Sequence, residues 1–145
     1  MSAPLHLVCP HCDAVNRVPA DRLVDARSCG KCAKPLFTAH PVDLDATSFD
    51  RHIGRSDIPV LVDFWAPCCG PCRQMAPAFV QAAGMLEPKV RLAKVDTEAQ
   101  QALAARFGIR SIPTMVLFRG GREVARQAGA MGAADIVRWM SSHTG

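Results

Sequence analysis

The feature that most constrains the fold is an apolar run, PVLVDFWA (59–66), that leads directly into a cysteine-rich turn, PCCGPC (67–72). An almost continuous apolar run of this length is typical of a strand that is buried on both faces of a sheet. Residues 70–86 then carry apolar side chains at helical spacing. The cysteines are therefore predicted to lie between a buried strand and the first turn of a helix.

Alternating strands and helices continue through the rest of the chain. The apolar periodicity, together with caps and turn residues, predicts a set of further elements. These are a helix at 47–54 with Thr47 or Ser48 as N-cap and Gly54 as its end, a strand at 90–96, a helix at 98–108 closed by Gly108, two strands at 112–119 and 123–129 joined through Gly120-Gly121, and a helix at 134–143. Such alternation predicts an α/β fold, with a mixed central sheet flanked by helices.

Two further cysteine pairs precede this region. Cys9/Cys12 and Cys29/Cys32 each enclose two residues, and 16 residues separate the pairs. This is the spacing of a structural zinc ribbon, in which two tight turns direct four thiolates at one Zn²⁺ ion and leave no open position. Because the segment has little apolar core of its own, the metal would supply most of its folding free energy.

Other interpretations of the N-terminal cysteines stay open at this point. The two pairs are alternatively redox dithiols, and His11 is an alternative ligand to one of the cysteines. The ribbon either stabilises and covers the main domain, recognises a partner, or senses oxidation by releasing zinc. The composition predicts a zinc-ribbon domain at 1–34, a linker at 35–42 containing Pro35 and Pro41, and the α/β domain at 43–145.

Charge and hydropathy exclude several classes of function. The formal net charge is +4, four thiolates around one Zn²⁺ would lower it by two, and the Lys and Arg residues are scattered. We therefore expect no nucleic-acid binding. No apolar run reaches about 18 residues, and the N-terminus lacks the pattern of a secretory signal. These features predict a cytoplasmic protein without a membrane span, in which seven cysteines serve metal binding or redox chemistry rather than structural disulfides.

The third cysteine cluster has the spacing and the setting of a redox dithiol. Cys69 lies at a helix N-terminus, where free N–H groups and the helix dipole favour its thiolate. Pro71 is tolerated in the first helical turn. Cys72 lies one turn further on, within reach of Cys69, which suits attack by Cys69 on a disulfide and resolution by Cys72. A third metal-binding pair is disfavoured because no further cysteine pair remains to complete its ligand set.

An acidic residue interrupts the apolar strand. Asp63 stands in VLVDFW, where both faces of the strand should be apolar. Burial would raise its pKa and make it a proton acceptor for Cys72, directly or through one water. Lys94, in the predicted neighbouring strand, is positioned to interact with it. The alternatives are an Asp63 that faces solvent at a bulge and a Lys94 that is an ordinary surface lysine.

Together these motifs resemble the thioredoxin family. FWAPCCGPCRQMAP, GIRSIPTMVLF and VARQAGA match family motifs in order and spacing over roughly residues 43–145, and the ribbon extends the resemblance to the zinc-containing thioredoxin 2 group of bacteria. The resemblance implies a thioredoxin fold and a protein-disulfide reductase with one structural zinc and no organic cofactor. It also implies a monomer that takes electrons from an NADPH-dependent thioredoxin reductase and passes them to oxidised protein substrates.

The resemblance also implies roles for individual residues. Cys69 attacks, Cys72 resolves, and Asp63 transfers protons with Lys94 nearby. Pro113 is a cis-proline facing the dithiol. The remaining residues implied to bind substrate are Trp65, Cys68, Gly70, Pro71, Ile112, Gly129 and Ala130.

One position departs from the family pattern. Cys68 occupies the place of the tryptophan in the family's WCGPC motif, and the loss of an aromatic rim should alter substrate docking more than dithiol chemistry. A bond between Cys68 and the adjacent Cys69 would be strained. Reversible oxidation, glutathionylation or an intermolecular bridge remain open for Cys68, as does a space-filling role. For the whole chain, the alternatives are an oxidase or isomerase, and a zinc-ribbon binding or redox-sensing module on a thioredoxin scaffold.

Overall fold

Two sheets organise the chain. The computed structural model describes residues 4–25 and 28–144, so residues 1–3, 26–27 and 145 of the predicted domains lie outside the described residues. An N-terminal antiparallel hairpin consists of β1 (Pro4–Val8) and β2 (Val15–Pro19), and a short 3-10 segment (Ala20–Asp25) follows it. The second sheet has five strands, β3 (Val42–Asp43), β4 (Val60–Trp65), β5 (Arg91–Asp96), β6 (Thr114–Arg119) and β7 (Arg122–Ala128), which lie in the order β3-β5-β4-β6-β7.

The larger sheet is mixed, as the sequence predicts. Its strands β4 and β5 are parallel, whereas β6 pairs with β4 and β7 pairs with β6 in antiparallel register. The elements in chain order are β3 (Val42–Asp43), α1 (Phe49–Arg55), β4 (Val60–Trp65), α2 (Gly70–Leu86), β5 (Arg91–Asp96), α3 (Gln101–Arg106), β6 (Thr114–Arg119), β7 (Arg122–Ala128) and α4 (Ala133–Thr144). The predicted α/β fold class is therefore confirmed.

The core lies on both faces of this sheet, with β4 at its centre. On one face Phe49 of α1 packs edge-on against Phe118, with ring centroids 5.6 Å apart. On the other face Phe79 of α2 and Ile136 of α4 pack against Leu61. Each fully buried side chain of this size stabilises the fold by about 2 kcal/mol, which fixes β4 and so the loop that follows it.

The first helix differs from its predicted bounds. It begins at Phe49 and continues through Gly54 to Arg55. Gly54 does not end the helix because it is not among the glycines with the positive φ of a C-terminal cap. Ser48 holds the N-cap position but makes no side-chain cap bond, and Asp45 Oδ1 instead accepts the N–H groups of Thr47 and Ser48.

The third helix is shorter than predicted. It spans only Gln101–Arg106 rather than 98–108. The side chain of Asp96, at the end of β5, accepts the N–H groups of Glu98 and Ala99. This local turn competes with helix formation and delays the start of the helix. Gly108, with φ +60°, lies just beyond the helix end.

The hairpin and its flanking segment pack against the larger unit. Leu36, from the segment that the sequence predicts as a linker, is buried with Leu7 of β1 and with Ile58, which precedes β4. The backbone N–H of Asp57 donates to the carbonyl of His6 over 2.8 Å. These contacts hold the N-terminal cysteines beside α1 and β5. Among the described residues, no helix is both long enough and apolar enough to cross a membrane.

Candidate active site and metal centre

The dithiol lies at the junction between the end of β4 and the start of α2. Cys69 is the N-cap of α2, with extended backbone, and its N–H donates to the carbonyl of Ala66 to close the intervening turn. Cys69 and Cys72 form a disulfide, with their Cα atoms 5.2 Å apart. Pro71 occupies the first helical turn, as predicted. The strand, the turn and the helix therefore hold both sulfurs at one edge of the sheet.

The environments of the two sulfurs differ. Cys69 is half-buried, whereas Cys72 is 1% exposed. The backbone N–H of Cys72 donates to Cys69 Sγ over 3.2 Å. At the start of a 17-residue helix, this N–H and the helix dipole stabilise negative charge on Cys69. Cys69 is thus partly open to solvent, whereas Cys72 is enclosed by the protein.

A loop with a cis peptide bond borders the dithiol. The Ile112–Pro113 bond is cis, and the Ile112 carbonyl oxygen lies 3.7 Å from Cys69 Sγ. Antiparallel pairing of Phe64 with Thr114 brings the start of β6 to the end of β4. The N–H of Gly129 donates to the Pro113 carbonyl over 2.9 Å, which places the loop after β7 next to Pro113. Ile112, Pro113 and Gly129 are thus brought together, with Ala130 adjacent in the chain and exposed.

Asp63 is completely buried beneath this edge. It is 0% exposed, and neither carboxylate oxygen has a hydrogen-bond partner in the described part of the chain. Burial raises the pKa of Asp63 to about 7, against an opposing effect of the Lys94 charge. Lys94 is the register partner of Asp63 on β5, and its Nζ lies 4.2 Å from the centroid of the Trp65 ring. Trp65 is half-buried, and its indole N–H has no acceptor.

The four N-terminal cysteines converge on one point. Their Sγ atoms all lie within 4.8 Å of one another, and this set among the described residues does not include His11 as a ligand. Each pair sits in the same kind of turn: Asp13 and Ala33, directly after the pairs, have φ of +63° and +66°, and their N–H groups donate to the carbonyls of Cys9 and Cys29. Four sulfurs this close together match the closed ligand set of a structural metal site.

Hydrogen-bond donors next to these sulfurs favour their thiolate state. The N–H groups of His11 and Lys31 donate to Cys9 Sγ and Cys29 Sγ, each over 3.3 Å. The side-chain amide of Asn16 also donates to Cys29 Sγ and, with backbone N–H groups, lowers the pKa of the Cys29 thiol. Burial raises the pKa of the Cys9 thiol, so a Cys9 thiolate requires a nearby cation. The residues therefore fit a bound metal ion.

Comparisons with known proteins agree with this geometry. The Thioredoxin family model matches residues 40–142, and the model described as Thioredoxin 2, N-terminal matches residues 8–34. The chain belongs to the thioredoxin family. Thioredoxin C-3 from Corynebacterium nephridii is 45% identical over 134 residues, which cover 92% of this chain and 92% of that protein.

Other thioredoxins cover the larger domain. Thioredoxin 1 from a Nostoc species is 41% identical over 97 residues, which cover 67% of this chain and 91% of that protein. A solved structure of a mutant thioredoxin from Halobacterium salinarum superposes with a TM-score of 0.67 at 31% identity, covering 75% of this chain and 95% of that one. The resemblance read from the sequence is confirmed. As a thioredoxin-family member, the chain is a thiol-disulfide oxidoreductase with an N-terminal metal-binding cysteine cluster.

The position that departs from the thioredoxin motif has a partner of its own. Cys68 is exposed, and its thiol donates to Glu98 Oε1 over 2.8 Å. Glu98 raises the pKa of the Cys68 thiol, first through this hydrogen bond and then through its charge. The sequence did not single out Glu98, because the two residues are 30 positions apart. Asn16 was missed as well, although a polar residue between two cysteine pairs is a usable signal for a ligand-supporting side chain.

Proposed function

We propose that Cys69 is the attacking thiol of a protein-disulfide reductase and that Cys72 resolves the intermediate. The Cys69 thiolate attacks one sulfur of a substrate disulfide, forms a mixed disulfide and releases the other sulfur as a thiolate. The Cys72 thiolate then attacks Cys69 Sγ, releases the second substrate thiolate and leaves the Cys69–Cys72 disulfide. The difference in exposure between the two sulfurs carries this assignment. The test is reduction of an insulin-type disulfide by the chain and by its single-cysteine variants.

Asp63 accepts the Cys72 proton in this proposal. A buried carboxylate with a pKa near 7 is matched to proton transfer near neutral pH. Its lack of any hydrogen-bond partner leaves it available to the thiol, directly or through one water. Lys94 acts from the neighbouring strand, where its charge keeps the pKa of Asp63 from rising further. Neither residue forms a covalent bond during the reaction.

The substrate binds across the edge that carries the dithiol. Ile112, Pro113, Gly129 and Ala130 line one side of Cys69 and offer backbone groups to an extended substrate segment. The exposed rim of the turn lies on the other side. It consists of the exposed Cys68 and Pro71 and the half-buried Gly70, and the half-buried Trp65 at the end of β4 completes it.

The electrons come from a dedicated reductase. An NADPH-dependent thioredoxin reductase reduces the Cys69–Cys72 disulfide by the reverse exchange, so the chain itself needs no organic cofactor. We propose that the chain works as a monomer in the cytoplasm on oxidised proteins and does not bind nucleic acid or membranes. A reducing compartment suits five cysteines that are not in disulfides in the described part of the chain.

The metal is one zinc ion held by Cys9, Cys12, Cys29 and Cys32 in a ribbon domain. Four thiolates in a closed tetrahedron favour Zn²⁺ over harder divalent ions. We propose that the chain divides into the ribbon domain at 1–34, a linker at 35–42 and the thioredoxin domain at 43–145. The ion holds the two cysteine turns together and supplies folding free energy, with no part in the redox step.

Metal analysis checks this assignment. Protein purified under reducing conditions is expected to contain one zinc per chain, and Cys32→Ser is expected to lose it because three thiolates bind far more weakly than four. The measurement is elemental analysis of the desalted protein by mass spectrometry. Cys68→Ser is the matched control, since it removes a thiol outside the cluster and should leave the zinc content unchanged. Iron in place of zinc, or no metal in fresh reduced protein, would contradict the assignment.

Glu98 is expected to keep Cys68 out of the exchange reaction. In the oxidised, metal-loaded chain, Cys68 is the free thiol whose alkylation by iodoacetamide can be followed by mass spectrometry. Glu98→Gln removes the charge that raises the pKa of Cys68, so alkylation at pH 8 should become about threefold faster or more. Glu123→Gln, on the remote strand β7, should leave the rate unchanged. Equal rates in wild type and Glu98→Gln would refute the role of Glu98.

A further inference from the structure

Arg91 is a charged residue buried at the junction between the ribbon and the thioredoxin domain. It begins β5, and it is 2% exposed. Its guanidinium lies over the ring of Phe37, 4.4 Å from the centroid, and its Nη2 donates to the Val8 carbonyl over 3.3 Å. The proposed redox chemistry makes no use of this residue. A buried guanidinium is costly unless its charge and its donors are balanced.

The carboxylate beside Arg91 makes only a long ion pair with it. Glu87 Oε2 is 3.7 Å from Nη1, and neither of these two atoms has a hydrogen-bond partner among the described residues. The other oxygen of Glu87 accepts the N–H of Ala39. A second source of negative charge is therefore expected near Arg91.

The cysteine cluster provides that charge. Val8, whose carbonyl accepts from Arg91 Nη2, directly precedes Cys9, so the guanidinium contacts the backbone one residue away from the cluster. Four thiolates around one divalent ion carry a net charge of about −2. Such a cluster in a desolvated site interacts strongly with an adjacent cation, because little water screens the pair.

Side chains of the thioredoxin domain also contact the other end of the same cysteine turn. Asp13 directly follows Cys12. Its carboxylate Oδ1 lies 2.8 Å from Nε2 of His52, and its backbone carbonyl accepts a hydrogen bond from Arg51 Nε. Both residues belong to α1, and His52 is buried. The first cysteine pair is thus held at both ends by side chains of the thioredoxin domain. The second pair has its described support from Asn16 and Lys31 of the ribbon itself.

We propose that Arg91 is the countercharge of the metal–thiolate cluster, so that the thioredoxin domain completes the metal site and metal binding fastens the ribbon to β5. Arg91 acts through Val8 and Cys9 rather than as a ligand, and it is a positioning residue. By linkage, a metal that binds better when Arg91 is present must also stabilise the folded domain that presents Arg91.

The test is the affinity of the full-length reduced chain for Zn²⁺, measured by competition with a chromophoric chelator. Arg91→Met should weaken Zn²⁺ binding about tenfold or more, as is common when a group supporting a metal ligand is removed. Arg91→Lys, which retains the charge, should restore most of the affinity. Glu87→Gln removes the carboxylate that competes with the cluster for Arg91, so it should strengthen Zn²⁺ binding. General disruption of the fold would weaken Zn²⁺ binding instead. Arg106→Met, at an exposed ion pair with Asp50, is the control.

A second measurement separates charge balance from simple packing. Urea unfolding midpoints of the metal-loaded and metal-free chains should show that Arg91→Met destabilises the loaded form more than the metal-free form. Equal destabilisation of both forms, or unchanged Zn²⁺ affinity in a zinc-binding wild type, would overturn the role of Arg91 alone. The inference rests on the proposed zinc site, so a wild-type chain that binds no Zn²⁺ would overturn both. If Arg91→Met does not fold, the other two variants decide the question: stronger Zn²⁺ binding by Glu87→Gln with near wild-type binding by Arg91→Lys supports the role of Arg91, and unchanged or weaker binding by Glu87→Gln overturns it.

Discussion

Replacing Cys69 with serine is expected to reduce the turnover of protein disulfides to the background rate. A serine hydroxyl is not ionised near neutral pH, so the variant lacks the nucleophile that forms the mixed disulfide. The buried Cys72, at 1% exposure, cannot replace it, because a substrate disulfide cannot approach its sulfur in line. The measurement is the rate of insulin-type disulfide reduction with NADPH and thioredoxin reductase, followed as NADPH consumption.

The matched variants distinguish the three thiols of the turn. Cys72→Ser should still attack but should not resolve, so it should accumulate a covalent adduct with an oxidised substrate that mass spectrometry locates at Cys69. Cys68→Ser should keep turnover within about threefold of wild type, because Cys68 donates to Glu98 and lies outside the disulfide. Full activity in Cys69→Ser would refute the mechanism. Loss of activity in Cys68→Ser would reassign the working pair.

The sequence predicted the position of the dithiol because the features that set it are local. An apolar run fixes β4, Pro71 marks the first turn of α2, and the apolar spacing of Met75 and Phe79 continues the helix. Each signal lies within about twenty residues of the cysteines. The same locality explains the metal cluster, since two residues between cysteines are enough to define each turn.

The errors in the sequence-based prediction came from side chains that compete with local propensity. Asp45 and Asp96 each accept backbone N–H groups in turns that precede helices, and so set the beginnings of α1 and α3. By the usual sequence rules Ser48 is an acceptable N-cap and Gly54 an acceptable helix end. Propensity alone therefore does not show where the helix begins and ends.

Contacts between residues far apart in the sequence could not be predicted either. The pairs Cys68–Glu98 and His52–Asp13 join residues 30 and 39 positions apart. Arg91, which contacts Val8 across 83 positions, does carry a signal, because a charge inside the predicted strand VRLAKV should be buried with a partner. Its partner becomes visible only when the ribbon is folded against β5.

Replacing Asp63 with asparagine is expected to stabilise the folded chain above pH 7. The pKa of Asp63 is raised from 3.8 to about 7 by burial, so the folded state favours the protonated carboxyl. Below pH 3.8 the carboxyl is protonated in both folded and unfolded chains, and it causes no loss of stability. As the pH rises from 3.8 to 7, the unfolded chain ionises first and the free energy of unfolding falls. Above pH 7 the loss is complete, at about 4 kcal/mol.

Asparagine has nearly the same shape and carries no charge, so the variant should not show this fall. The measurement is urea unfolding of the oxidised chain at pH 5 and pH 8, because the Cys69–Cys72 disulfide then cannot titrate. Asp57→Asn is the matched control: hydrogen bonds from His6 lower the pKa of Asp57 below 3.8, so the stabilisation from Asp57 is complete at both pH values and its loss should be the same at pH 5 and pH 8. An Asp63→Asn variant with the same pH dependence as wild type would refute the raised pKa.

The same substitution should slow the redox reaction while it stabilises the fold. Without a carboxylate to take the Cys72 proton, resolution of the mixed disulfide at pH 7 should be on the order of 10²-fold slower, and the inflection of the rate near pH 7 should disappear. Rapid mixing of the reduced chain with a chromogenic disulfide separates this step from the initial attack, which should be much less affected. A stabilised variant with unchanged resolution would mean that Asp63 is buried at a cost in stability without serving as the proton acceptor. Slower resolution together with higher stability would show that the fold tolerates an unpaired buried carboxylate because the chemistry requires it.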